Sequence, residues 1–235
     1  MTGSRESDEA RAVRERYARR APQDPRYSLL NPAALAAWQE RQRAVLRLLR
    51  GLGHADLSAL DLLEVGCGTG SHLLDCVLMG FAPARLAGIE LLPDRYAVAR
   101  ERLPAAVTLW QGDATAIDLP AASRDIVLQA TVFSSLLDDA FQQRLADAMW
   151  RVVRAGGGVL WYDFTVDNPR NRDVRGVPLR RVRALFPQAR RIVARRITLA
   201  PPIARAVSRV HPALYTAFDA VPLLRTHLLA WIAKD

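Results

Sequence analysis

Between Glu64 and Gly70 the chain reads Glu-Val-Gly-Cys-Gly-Thr-Gly, with glycines at 66, 68 and 70. An apolar run, Leu62-Leu63, enters this segment and an amphipathic stretch leaves it, so the glycines sit at a strand-to-helix turn. Glycine is required there because a side chain would block close approach of a ligand to the backbone, and because such turns use positive φ. Twenty residues after Gly70, at the end of the next apolar run, Glu90 supplies a carboxylate able to accept hydrogen bonds from both hydroxyls of a ribose. A dinucleotide fingerprint would need its third glycine at position 71, where Ser71 stands, so a nicotinamide cofactor is disfavoured.

The Glu-x-Gly-x-Gly-x-Gly loop, Glu90 and the segment Gln111-Gly112-Asp113-Ala114 occur in an order that resembles the class I S-adenosylmethionine-dependent methyltransferases, including the methyltransferase-11-like group. The likeness covers roughly residues 56–164. It implies S-adenosyl-L-methionine as methyl donor and S-adenosyl-L-homocysteine as product. It also implies that Gly66, Cys67, Gly68 and Gly70 pack against the methionine and sulfonium region, with Glu64 near the cofactor's amino group. Glu90 and Leu91 would then hold the ribose, Asp113 would accept from the adenine amino group, and Ala114 would offer its backbone N–H to the ring. For Asp113 a plain turn role is the alternative, since Gly112-Asp113 favours a turn. Gln129 and the residues to Phe133 would floor the space between donor and acceptor, and His72 would lie near the methionine carboxylate or simply on a helix surface.

Methyl transfer from a sulfonium needs alignment more than a fixed catalytic group, but a hydroxyl acceptor gains from a general base. Asp163, at the end of the fifth apolar run, is one candidate base; its alternative role is to cap a loop through backbone N–H groups. His211 is a second, with a packed or surface histidine as the alternative. Tyr162 and the arginines at 170, 172 and 175 could bind an anionic group on the acceptor, since guanidinium pairs well with phosphate and carboxylate. A solvated loop is the competing reading of those arginines. A looser likeness to bacterial glycan-modifying enzymes adds sugars to the small-molecule acceptors expected. Neither an Asn/Asp-Pro-Pro-aromatic motif after the fourth strand nor a suitably placed cysteine nucleophile supports a nucleic-acid methyltransferase. A non-catalytic cofactor-binding subunit is a further alternative.

The elements that must position these residues follow from hydrophobic periodicity. Strands are expected at Leu60–Val65, Leu86–Glu90, Val107–Gln111, Ile126–Ala130, Gly158–Phe164, Ile192–Leu199 and His227–Ala233. Helices are expected at 8–20, Ala33–Leu52, Gly70–Met79, Pro93–Arg102 and Asp138–Arg154, the last closed by Gly156, Gly157 and Gly158. The alternation predicts an α/β fold: a three-layer, Rossmann-like, seven-stranded and mostly parallel sheet with helices on both faces. Residues 1–55 are expected to form an N-terminal helical cap, residues 56–235 the methyltransferase domain, and residues 200–226 a helical insertion between the last two strands. That insertion is expected to cover an acceptor pocket together with residues 8–38, or to offer apolar surface to a lipid-linked acceptor or a membrane face.

The chain has 235 residues, half of them hydrophobic, and carries a formal net charge of +9. All of its basic residues except Lys234 are arginine, a bias that reads as codon preference more than as a phosphate-binding surface. The run from Arg180 to Arg196 is read as solvated faces of a helix and an edge strand, and nucleic acid is not the expected partner. No apolar stretch reaches the roughly 18–20 residues of a membrane span, and the charged N-terminus has no apolar centre for a secretory signal. A cytoplasmic location is therefore expected. Cys67 and Cys76 suggest neither a disulfide nor a metal site, and oligomeric state is left open.

Overall fold

The computed structural model describes residues 8–19, 25–168 and 171–235. Seven strands form one sheet: β1 (Leu62–Val65), β2 (Leu86–Glu90), β3 (Thr108–Gln111), β4 (Arg124–Ala130), β5 (Val153–Phe164), β6 (Arg191–Leu199) and β7 (Arg225–Ala233). Their spatial order is β3-β2-β1-β4-β5-β7-β6. Strands β1 to β5 pair in parallel, whereas β7 is antiparallel to both β5 and β6. The mostly parallel, seven-stranded Rossmann-like sheet is thus the one the sequence periodicity calls for.

β1 and β2 are buried along their whole length, as continuous apolar runs must be when helices cover both faces. On one face lie α2 (Pro32–Gly51), α3 (Ser71–Met79) and α4 (Pro93–Arg102), which bring Ala44, Leu49, Leu73 and Ala99 into a core with Leu62, Ile126 and Leu160. On the other lie α5 (Asp139–Val152) and α6 (Leu179–Leu185), which pack Phe141, Leu145, Met149 and Leu185 against Val127, Val159 and Trp161. Each of the larger side chains among these, once buried, contributes roughly 1.5–3 kcal/mol. α5 starts where Asp138 accepts from the Phe141 backbone N–H, an N-cap on the acidic pair.

Three expectations need correction. The glycine run 156–158 does not end α5: the helix passes directly into β5 at Val153, and the glycines lie inside that strand. They are needed for close approach, since a Cβ on Gly157 would lie 2.4 Å from the Asp125 carbonyl oxygen and one on Gly158 would lie 2.5 Å from the Trp231 ring. The N-terminal segment is not one cap. α2 is a layer of the domain, capped by Asn31 and packed on the sheet, while α1 (Asp8–Ala18) stands apart at the carboxyl edge of the strands. The helical insertion exists, as α7 (Pro201–Val210) and α8 (Ala213–Asp219), but it packs on α2 through Ala33, Ala204, Tyr215 and Leu199 rather than over a ligand pocket. Among the described residues no helix is long and apolar enough to cross a membrane.

Candidate cofactor and acceptor site

A cavity of about 240 Å³ opens at the carboxyl edge where β2 and β4 flank β1. This is the point at which strand order reverses, the usual binding position in open parallel sheets. Its walls come from the loops after β1, β2, β3 and β4, from α5, and from Val13 and Tyr17 of α1.

The glycine loop is built as its sequence requires. Gly66, Gly68 and Gly70 all have positive φ, at 68°, 57° and 80°. A Cβ on Gly66 would lie 2.6 Å from Val132, so its bare backbone lets the loops after β1 and β4 meet. Gly66 and Cys67 donate to the Ile89 carbonyl at 2.8 and 3.0 Å, carrying the β1–β2 ladder into the turn. Gly70 is the N-cap of α3 and lies against Leu103 rather than on the cavity wall; its glycine serves helix packing, which corrects its assignment as a cofactor contact.

Glu90 joins these loops. Its Oε2 accepts from the Gly68 backbone N–H at 2.7 Å and its Oε1 from the Leu92 N–H at 2.8 Å. It is nearly fully buried, and burial raises its carboxyl above the ordinary range against the lowering effect of these bonds and of nearby Arg95. Each oxygen retains a lone pair for a further donor. Leu91, Asp113 and Ala114 line the same wall. Asp113 Oδ1 accepts from the Thr115 backbone N–H and hydroxyl, both at 2.8 Å, which is the turn role read from the sequence, yet the residue also faces the cavity.

Glu64 lies beneath the site rather than on its surface. It is fully buried, its Oε1 is 2.8 Å from His72 Nδ1, and its Oε2 has no hydrogen-bond partner. His72 does line the cavity, so Glu64 orients that ring and leaves an uncompensated acceptor below it. Cys67 lines the wall, buried with its thiol pushed upward by desolvation and by Glu64 and Glu90, so it packs as a neutral group. Gln129 is buried off the wall, accepting from the Val132 N–H at 3.2 Å and fixing the turn after β4. In that turn Thr131 has φ 57° and donates to the Ala130 carbonyl, with Thr131 and Val132 forming the floor.

The residues expected to serve the acceptor do not converge. Asp163 is fully buried, accepting from the Ser134 N–H at 3.1 Å and from the Phe164 N–H at 2.8 Å. Burial raises its carboxyl to about 6, against the lowering effect of those bonds. It locks the turn after β4 to the end of β5 and does not reach the cavity, so the loop-capping alternative describes it. Tyr162 points to the opposite face, where its hydroxyl meets Thr198 at 3.0 Å and its ring stacks on His227 at 4.9 Å. His211 is exposed after α7, where its Nδ1 accepts from the Ala213 N–H. Arg175 pairs with Asp139, Arg172 is exposed, neither lines the cavity, and Arg170 lies outside the described residues.

The wall facing the glycine loop is completed instead by α1, which lies within the segment 8–38 expected to cover an acceptor pocket, and by the turn after β4. Tyr17 lines the cavity with Arg95 stacked over its ring at 4.5 Å, and its hydroxyl lies 3.3 Å from the Ser135 hydroxyl. α1 is held down by a compact latch. Glu9 accepts from the Leu137 N–H at 2.7 Å and pairs with Arg16 at 2.6 Å, and Arg16 donates to the Ser135 carbonyl at 3.0 Å. The Arg16 side chain is only 10% exposed, unusual for an arginine on an eleven-residue terminal helix. The sequence reading places this segment near an acceptor pocket but does not single out Glu9, Val13, Arg16 or Tyr17.

This constellation fits a nucleoside-bearing, amino-acid-bearing cofactor: a glycine cradle that a Cβ would fill, a carboxylate where β2 ends, a second in the turn after β3, and a buried acceptor under His72. Residues 62–157 match a family described as "Methyltransferase domain". The fold is similar to that of geranyl diphosphate C-methyltransferase from Streptomyces coelicolor A3(2), at 14% identity over 97% of this chain and 99% of that one, with a TM-score of 0.66. It is similar also to phosphoethanolamine N-methyltransferase 2 from Haemonchus contortus, at 15% identity, TM-score 0.64, covering 95% of this chain and 61% of that longer one. A third likeness is to an S-adenosylmethionine-dependent methyltransferase from Archaeoglobus fulgidus, at 13% identity, TM-score 0.55, covering 84% and 97% of the two chains. No curated protein matches by sequence. With its glycine loop, its strand order and this match in agreement, residues 62–157 form a methyltransferase domain, in a chain whose fold is the Rossmann-like one of S-adenosylmethionine-dependent methyltransferases.

Proposed function

We propose that this enzyme methylates a hydroxyl group of a small molecule or sugar that meets the cofactor beneath α1. The observation that carries the reading is the make-up of the cavity. One end offers Glu90, Asp113 and the glycine loop, and the other offers hydroxyls of Thr131, Ser135 and Tyr17 on an otherwise apolar wall of Val13, Val132 and Leu136. Hydroxyl side chains both donate and accept, so they can orient an acceptor hydroxyl without fixing its charge. Bound in the cradle, S-adenosyl-L-methionine would supply an electrophilic methyl group.

The protein's own part is positional. Glu90 and the Gly68 N–H set the cradle, Glu64 holds His72, and Gln129 and Asp163 hold the turn that carries Thr131 and Val132. α1 closes over the cavity and limits water. Among the described residues no carboxylate lines the acceptor end, Glu9 being held by Arg16 and the Leu137 N–H, so the Tyr17–Ser135 hydroxyl pair is the proton-handling group that this end offers.

The test has two readouts. Calorimetry with S-adenosylhomocysteine is expected to show binding to the purified protein. Labelled S-adenosylmethionine supplied to fractionated host metabolites and glycans is expected to label a small alcohol or sugar by methyl ether formation. Label entering RNA would overturn the acceptor class while leaving the cofactor assignment. Cofactor binding with no labelled product in any fraction would favour a non-catalytic subunit.

A further inference from the structure

The net charge and the apolar surface of the chain converge on one flank, far from the glycine loop. Between positions 190 and 234 seven arginines and one lysine stand against a single acid, Asp219. That acid is buried and paired with Arg225 at 3.2 Å. The edge strand β6 exposes Arg191, Arg195 and Arg196, and the outer face of α2 beside it exposes Arg43, Arg47 and Arg50. Burial lowers the Arg195 pKa, and Arg47 and Arg225 lie close enough to lower it further against the opposing pull of Glu40 and Asp219, so these guanidinium groups lie near one another.

At the end of this flank the α7–α8 insertion presents apolar side chains to solvent. Val210 is 78% exposed and Leu223 85% exposed, with Phe218 and Val221 beside them in the chain; Leu30, 94% exposed, precedes the N-terminal end of α2 on which α7 packs. Pro202, Ala206, Pro212, Ala213, Ala217 and Pro222 of the same segment are exposed as well. From 201 to 224 the exposed residues include Arg209 and no acid, and α7 is amphipathic, turning Ala204 and Ser208 inward. A soluble surface seldom leaves this many large apolar groups together without a partner.

We infer that the α7–α8 tip and its arginine flank form a docking surface for an anionic lipid bilayer, with Leu30, Val210, Phe218 and Leu223 entering the interface and the arginines meeting acidic headgroups. Two features select the bilayer over other occupants. A second copy of this chain would bring the same cationic field against itself, which like charges oppose. A nucleic acid would satisfy the arginines but not a cluster of aliphatic side chains, whereas an interfacial helix needs both terms. The insertion leaves β6 at the carboxyl edge of the sheet, with β4, β5 and β7 between it and the glycine loop, so docking would leave the cavity uncovered and needs no spanning helix. The inference does not depend on which acceptor is methylated.

Co-flotation with vesicles tests it on the full chain. The protein is expected to float with vesicles of phosphatidylglycerol and phosphatidylcholine and not with phosphatidylcholine alone. The double variant Val210→Asp, Leu223→Asp is expected to lose affinity by about tenfold or more, and Arg196→Gln, Arg209→Gln to lose less and to flatten the salt dependence. Unchanged calorimetric affinity for S-adenosylhomocysteine would show that the variants remain folded. Failure of the wild type to float, or equal flotation of the aspartate variant, would overturn the inference. So would binding to single-stranded RNA that survives the aspartate substitutions, or a dimer in light scattering that those substitutions dissolve; these would assign the face to nucleic acid or to a second copy.

Discussion

The carboxyl ends of β2 and β5 carry matched acids with different fates. Glu90 and Asp163 each close a buried strand, each accept two backbone N–H groups, and each are raised above the ordinary carboxylate range by burial. Yet Glu90 lines the cavity and Asp163 is sealed away from it. The difference lies in what stands opposite. Glu90 faces a loop of positive-φ glycines that has no side chains to fill the space, whereas Asp163 faces the Phe133-Ser134 turn, which packs on it. A strand-end acid becomes a ligand group when a bare backbone leaves room beside it; otherwise it becomes a brace.

That contrast can be broken or sharpened by substitution. The largest effect is expected from Glu90→Ala, which removes the proposed ribose acceptor and the Gly68 tether together. Affinity for S-adenosylhomocysteine should fall about 100-fold, on the order of 2.7 kcal/mol, in calorimetry, and an unchanged affinity would remove Glu90 from the site. Gly66→Ala should follow, weakening binding about tenfold, because φ at 68° strains an L-residue by roughly 1–2 kcal/mol and its Cβ would strike Val132.

Asp163→Asn should leave cofactor affinity within about twofold and act on stability instead. A buried carboxyl raised to about 6 from 3.8 binds its proton more tightly folded than unfolded. Its contribution is therefore fully present below the unfolded value and is lost as pH rises to the folded one, by up to about 3 kcal/mol. The asparagine variant should lack that decline between about pH 4 and 6 in thermal melts. A parallel pH profile in both proteins would mean that Asp163 is not the group titrating. The smallest effect is expected for His211→Ala, whose affinity and turnover should stay within about twofold; a large loss in turnover would return His211 to the acceptor site.

The strand assignments and the glycine loop were legible because they depend on neighbours in the chain. Alternation of apolar runs with amphipathic helices sets the parallel sheet, and a turn needing positive φ selects glycine locally. Tyr162 and Asp163 illustrate the limit. Adjacent strand residues point to opposite faces, so the two could not serve one pocket from within β5. Periodicity gives that much, but not which face meets the cavity. Gly156 to Gly158 were misread for a similar reason: a glycine cluster after a helix reads as a stop, and its true cause, the approach of Asp125 and Trp231, comes from distant segments.

The sequence by itself determined the glycine loop and the alternation of strands and helices that makes the sheet mostly parallel, since each is encoded in contiguous stretches whose spacing carries the geometry. Only the tertiary structure decided the other wall. Tyr17 and Val13 meet Ser135 and Leu136 across more than a hundred residues, and α1 is set there by a buried Glu9–Arg16 pair bonded to the backbone of that distant turn. Such contacts follow from how packed layers bring chain ends together, and spacing along the chain carries no record of them.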